Sequence, residues 1–368
     1  MLWAATLLNP PILLLSQNPY SEHFPRFDWQ PTNALAGARY VGRERCAKCH
    51  LSEAKHQPLT PMAHALEPAA DGDILRAHPR LSFRSGRYSY QIVRERGLSV
   101  YSVSDGVREI REPILWAFGK GEAGQTYVFQ HDGSYYQSRV SFFKDVQGLD
   151  ITLGAPRKDP ESLDRAAGDA MTAWEARLCF GCHATAAVSG LHLQVENLIP
   201  GITCEGCHGP GGEHVSTIEA VNLKSLKMFN PGTLSTGDLA DFCGSCHRSS
   251  VQVQLMRVQG VENVRFHPYR LSKSRCYDRD DHRISCLACH NPHQERNRDA
   301  GFYDAKCLEC HQSRSGAIPT GDQKKAACPV GTDRCVTCHM PKCELPGGHF
   351  KFTDHWIRVV KRNEAYPG

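Results

Sequence analysis

Cys204-Glu205-Gly206-Cys207-His208 holds two cysteines three residues apart with a histidine directly after the second. The same C-x-x-C-H pattern occurs six more times: Cys46, Cys49 and His50; Cys179, Cys182 and His183; Cys243, Cys246 and His247; Cys286, Cys289 and His290; Cys307, Cys310 and His311; and Cys335, Cys338 and His339. Random placement at these residue frequencies would give on the order of 0.04 matches in such a chain. The pattern is therefore a repeated device, and its spacing says what kind.

Two cysteines three apart on a helical turn project from one face, where their thiols can add across the two vinyl groups of a single haem. The histidine that follows lies beneath the porphyrin and can ligate the iron. Structural zinc also uses C-x-x-C, but it draws four ligands from two such pairs and demands no histidine after each. A disulfide scaffold leaves the sevenfold register unexplained. The reading is seven covalently bound haem c groups.

Haem is joined to such thiols outside the cytoplasmic membrane, so the chain is expected to be exported, periplasmic or extracellular. Residues 1–19 form an apolar, signal-like segment. No Lys or Arg precedes its core, Pro10 and Pro11 interrupt it, and no clear cleavage site follows. A start placed downstream of the true one and a retained apolar tail both account for this, and the tail would permit membrane association. The formal charge of +4 belongs to the bare chain. Seven haems with ionised propionates bring it to about −3 when ferric and about −10 when ferrous, so the basic pI is no sign of nucleic-acid binding.

The sites are unevenly spread. A first haem segment (38–70) is followed by a gap of about 130 residues before the next motif. Within the gap, 87–93, 98–103, 125–130 and 134–142 alternate apolar and polar residues between turn signals such as Ser85-Gly86 and Asp132-Gly133. They predict a small antiparallel β insertion over 80–150, acting as scaffold. Helical signals return at 162–178, opening a six-haem region over 160–358. About 27 residues per haem there are too few for a conventional core, so packed porphyrins must supply it. The expected fold class is α+β, with short helices and loops around stacked haems.

Extended, the opening stretch reads C-E-x-C-H-G-P-G-x-x-H from Cys204 to His214. With the C-x-x-C-H-N-P-H run ending at His293 and Cys335-Val336-Thr337-Cys338-His339-Met340-Pro341-Lys342, it resembles the cytochrome c-554 family, related to hydroxylamine oxidoreductase and pentahaem nitrite reductase. The likeness covers most of 40–358, although the β insertion departs from the small tetrahaem members. It implies haems in alternating parallel stacks and perpendicular pairs, with histidines just beyond the motifs ligating neighbouring irons. On that basis His214, His293, His349 and His355 are distal-ligand candidates.

Twelve histidines lie outside the motifs, more than seven irons require. After the four above come His78, His56 and His192, with His23, His64, His131, His267 and His282 last. Met62 and Met340 are read as packing residues. Cys276, Cys328 and Cys343 remain outside the motifs, and a Cys276–Cys328 disulfide is the preferred pairing in an oxidising compartment. Function reads as electron transfer between redox partner proteins rather than catalysis. Two alternatives stand beside it: an oxidoreductase acting on a small nitrogen or sulfur compound at a five-coordinate haem, and a subunit of a conductive filament or membrane redox complex, for which oligomerisation is permitted. No C-x-x-C-K motif is present to mark a nitrite reductase site.

Overall fold

The computed structural model describes residues 39–190, 192–220, 228–311, 328, 331–361, 363–364 and 366–367. The apolar 1–19 segment and His23 lie outside them.

Two kinds of architecture share the chain. The first is a nine-stranded antiparallel sheet: β1 (Leu66–Pro68), β2 (Arg80–Ser85), β3 (Tyr88–Glu95), β4 (Leu98–Ser104), β5 (Glu109–Phe118), β6 (Gln125–His131), β7 (Ser134–Phe143), β8 (Gly148–Ile151) and β9 (Gly168–Ala170). Strands β2 to β8 form a meander, while β1 adds to β5 and β9 to β7. Tight turns set the register. Arg96-Gly97 and Asp132-Gly133 both take positive φ, as a two-residue turn matched to the strand twist requires.

Period-2 alternation sends Tyr88, Tyr90 and Ile92 of β3, Tyr101 and Val103 of β4, and Tyr127 and Phe129 of β6 into one core. Helix α4 (Leu163–Ala167) covers it with Leu163, Ala166 and Ala167, and the buried Tyr101 hydroxyl donates to the Ala167 carbonyl at 2.9 Å. A register shift between Ile114 and Trp116 changes which side of β5 faces where. Ile114 and Ala117 enter this core, whereas Trp116 and Phe118 join a second cluster built on Phe180.

Four expected strands have counterparts in β3, β4, β6 and β7. β5 escaped the sequence reading because Pro113 sits in its middle and charged residues fill its first half. The sheet also draws in residues from before 80 and after 150.

The second architecture is a set of short helices: α1 (Arg43–Ala47), α2 (Leu51–His56), α3 (Asp73–Ala77), α5 (Ala173–His183), α6 (Cys204–His208), α7 (Gly212–Glu219), α8 (Thr236–His247), α9 (Ser250–Met256), α10 (His267–Leu271), α11 (Cys286–Cys289), α12 (Ala300–His311) and α13 (Cys335–His339). The fold is α+β. α1, α2, α11 and α13 have no fully buried residue. Leu51 is 73% exposed and Leu287 38%, both inside or beside a motif. Helices that short are not stable by propensity, so an apolar partner other than protein must cover these faces.

Phe129 is fully buried between Tyr101 and Tyr136, with ring centroids 5.2 and 5.6 Å away. Phe129→Ala is expected to cost the protein about 3–5 kcal/mol, measured by denaturant unfolding followed through sheet circular dichroism.

Candidate haem-binding sites

In chain order the seven motifs are called sites 1 to 7. At sites 2, 3, 4, 6 and 7 the motif closes a helix, with its histidine the last residue. Caps fix where those helices start: Thr172 and Glu175 form a reciprocal capping box on α5, and the Ser235 side chain accepts from the Asp238 N–H on α8.

Backbone carbonyls orient several motif histidines. His183 Nδ1 lies 2.9 Å from the Ala65 carbonyl, His208 Nδ1 2.8 Å from Phe229, and His339 Nδ1 2.9 Å from Arg358. An Nδ1–H donated to a carbonyl leaves Nε2 unprotonated, which is the tautomer an iron needs. Burial also holds His183 and His247 below the ordinary imidazole pKa, keeping them neutral.

Three motif histidines face a second imidazole. The His208 and His293 ring centroids are 5.9 Å apart with planes 7° from parallel; His247 and His267 are 5.8 Å apart, and His290 and His355 6.2 Å. A metal–imidazole bond of about 2 Å on each side of one ion puts two ring centroids about 6 Å apart. The spacing therefore fits three irons, each held between two rings. Burial pushes His355 down to about 4 and His267 well below its usual value, so both are neutral bases. His214 on α7 adds a buried Nδ1 with no partner.

Other candidates are otherwise engaged. His349 Nε2 is 2.8 Å from Asp150 Oδ2, with its ring against Phe143. His78 packs on Phe142 at 4.7 Å. Both ring nitrogens of His64 are hydrogen-bonded, Nδ1 to Glu67 and Nε2 to the Pro58 carbonyl. His131 Nδ1 is bonded to Glu112 in the sheet. His192 sits exposed in a two-residue strand, and His56 Nδ1 bonds the Ser52 carbonyl. His267, ranked among the last by sequence, lies opposite His247. Its only signal is the His267-Pro268 step that opens α10, since burial cannot be read from one residue.

Attachment cysteines of different sites meet. Cys46 faces Cys204, Cys182 faces Cys246, Cys243 faces Cys286, and Cys307 interacts with Cys335. Cys182 Sγ also lies 3.7 Å from the Ser245 carbonyl. Carboxylates tie the same neighbours together. Glu205, fully buried, accepts the N–H groups of Val41 and Gly42 at 2.9 Å each and of Gly211 at 2.7 Å, bracing the start of α1 against α6. Asp304 of α12 accepts the Arg334 and Cys335 N–H groups at 2.6 and 2.8 Å, where α13 begins. In the sequence Glu205 stands out only through the family resemblance. Its reason is three backbone donors with no other partner.

A buried charge cluster adjoins the His267 and His355 rings. Arg270 and Asp354, both 0% exposed, form a two-pronged ion pair at 2.8 and 2.9 Å, and Arg358 joins the same carboxylate at 2.6 Å. Asp354 neighbours His355 in sequence, and the Arg358 carbonyl orients His339.

The expected Cys276–Cys328 bridge is not formed, because Cys276 carries a free thiol. Burial pushes that thiol above its ordinary pKa, with a smaller contribution from the charge of Cys310. Among the described residues no helix is long and apolar enough to cross a membrane, and no group of three or more His, Cys, Asp or Glu side chains converges as a bare metal ion would need.

Comparison with known proteins gives the same class. Residues 152–209, holding sites 2 and 3, match the family described as cytochrome c554 and c-prime. The multiheme cytochrome MtrA of Shewanella baltica (strain OS185) is 25% identical over 181 residues, covering 45% of this chain and 52% of that protein. The structure of the outer cell wall cytochrome OcwA superposes with a TM-score of 0.51 at 15% identity, over 87% of this chain and 80% of that one. The chain is a multihaem c-type cytochrome. It spans about half the length of the curated relative it matches, and the likeness to OcwA is one of fold. The cytochrome's matched family span includes the Cys204–His208 helix but neither of the other two segments on which the sequence resemblance rested.

Glu205→Ala would strand three backbone donors. It is expected to cost the cytochrome at least about 2 kcal/mol and to open the chain around residues 39–50 to limited proteolysis, read by peptide mapping.

Proposed function

We propose that this cytochrome carries seven haem c groups, one on each C-x-x-C-H motif, and passes electrons among them between redox partner proteins outside the cytoplasmic membrane. The observation that carries this reading is the set of three histidine pairs at the spacing two imidazoles adopt across one metal ion. In this assignment His293, His267 and His355 are the distal partners of His208, His247 and His290, and His214, with its unpartnered buried nitrogen, serves a fourth iron.

Bound haem supplies an iron that cycles between ferric and ferrous at little structural cost. The chain supplies the rest. Carbonyl-anchored histidines present Nε2 in a fixed direction, and burial keeps the imidazoles unprotonated. Arg270 and Arg358 outnumber Asp354 by one charge beside two of the pairs, which favours the electron-rich form there. Export is supported by the chemistry of covalent attachment and by relatives of which one is titled an outer cell wall cytochrome.

Irons held between two imidazoles are low-spin. Ferric holoprotein should therefore show low-spin signals from sites 3, 4 and 5 by electron paramagnetic resonance, and His293→Ala should convert one iron per chain to a high-spin form that binds carbon monoxide when reduced. An unchanged spectrum in that variant would remove the assignment. Rapid turnover of nitrite, hydroxylamine or a sulfur compound by wild-type protein would remove the carrier role.

A further inference from the structure

The order in which attachment sites touch differs from their order in the chain. Site 1 meets site 3 through Cys46 and Cys204 and through Glu205. Site 3 meets site 4, for Cys207 neighbours Cys243 and Cys246, and Phe229, whose carbonyl orients His208, stacks 5.6 Å from Phe242, the residue before Cys243. Site 4 meets site 5 through Cys243 and Cys286, with α8 packed on α11, and the His267 and His355 rings lie 4.4 Å apart. Sites 5, 6 and 7 follow in succession as α11 packs on α12 and α12 on α13. Site 2 is left over. Its sulfur contact is with site 4, where Cys182 faces Cys246 and approaches the Ser245 carbonyl.

We propose that site 4 is a three-way junction on a main path running 1–3–4–5–6–7, and that site 2 is a spur off that path which stores an electron rather than relaying it. This rests on the haem reading above and goes beyond it in fixing the wiring. The β sheet makes site 2 a closed end. Trp116 and Phe118 pack edge-on against Phe180 of α5 at 6.1 and 5.1 Å, and Phe118 also covers the His183 ring at 5.2 Å. Sites 1 and 7, by contrast, are carried on helices that have no fully buried residue. A haem held at site 2 would exchange one electron with a haem held at site 4, one being oxidised as the other is reduced, with no bond made or broken.

The test removes the spur from intact holoprotein. Cys179→Ala with Cys182→Ala should yield six haems by mass, and among them the ferric methyl proton resonances of one haem should move, because among the described residues the site 2 sulfurs meet site 4 alone, although Thr185 after His183 also accepts the Thr203 N–H at 2.9 Å ahead of site 3. Fully reduced protein should then deliver six electrons instead of seven to a soluble oxidant. Displaced resonances from two haems would place site 2 within the path and overturn the proposal. If that variant does not mature, His183→Met retains the haem with a raised potential, and the same count of disturbed neighbours, one against two, decides. Wild-type protein with a full set of seven haems keeps the haem reading intact whichever way the wiring falls.

Discussion

The rest of the molecule depends on one constraint: the shortest motif helices, α1, α11 and α13, cannot cover their own apolar faces. Four helices carrying or flanking motifs have no fully buried residue, and large residues such as Leu51 and Leu287 stand open beside the attachment cysteines. A segment of that kind pays its ordering entropy only if something else covers it. Porphyrin rings tethered by two thioethers would do so, and the same tethers would hold the irons where the histidine pairs already wait.

The β sheet answers a different need. It has its own core, closed by α4, and it reaches the cytochrome part through the second face of β1, β5 and β6, where Leu66, Phe118 and Val128 gather around Phe180. The register shift in β5 makes that possible by giving one strand apolar residues on both sides. A unit that looks like an insertion in the sequence is thereby the wall behind site 2, and the Ala65 carbonyl just before β1 is the acceptor that orients His183.

Much of this was legible beforehand. Spacing alone proposes which residues attach haem, because two cysteines and a histidine within five residues form a local geometric unit that needs no tertiary knowledge. Alternation and glycine turns identified four strands for the same reason. What was not legible is whatever depends on residues far apart in the chain. His267 reads as an ordinary histidine until α10 brings it opposite His247, and nothing local to His349 announces that Asp150 bonds its Nε2. The contact of site 1 with site 3, and of site 2 with site 4, has no sequence signature because local spacing says nothing about which helices will meet. Cys276 misled for the inverse reason: composition suggested a disulfide, while the fold leaves that thiol free.

The most direct measurement of the central claim is the intact mass of protein purified from cells that mature c-type cytochromes. The account requires seven covalent additions of about 616 Da each, retained after denaturation. Fewer than seven additions, or a cooperatively folded chain with none, would contradict it, because the helices described here would then have found some other cover for their apolar faces.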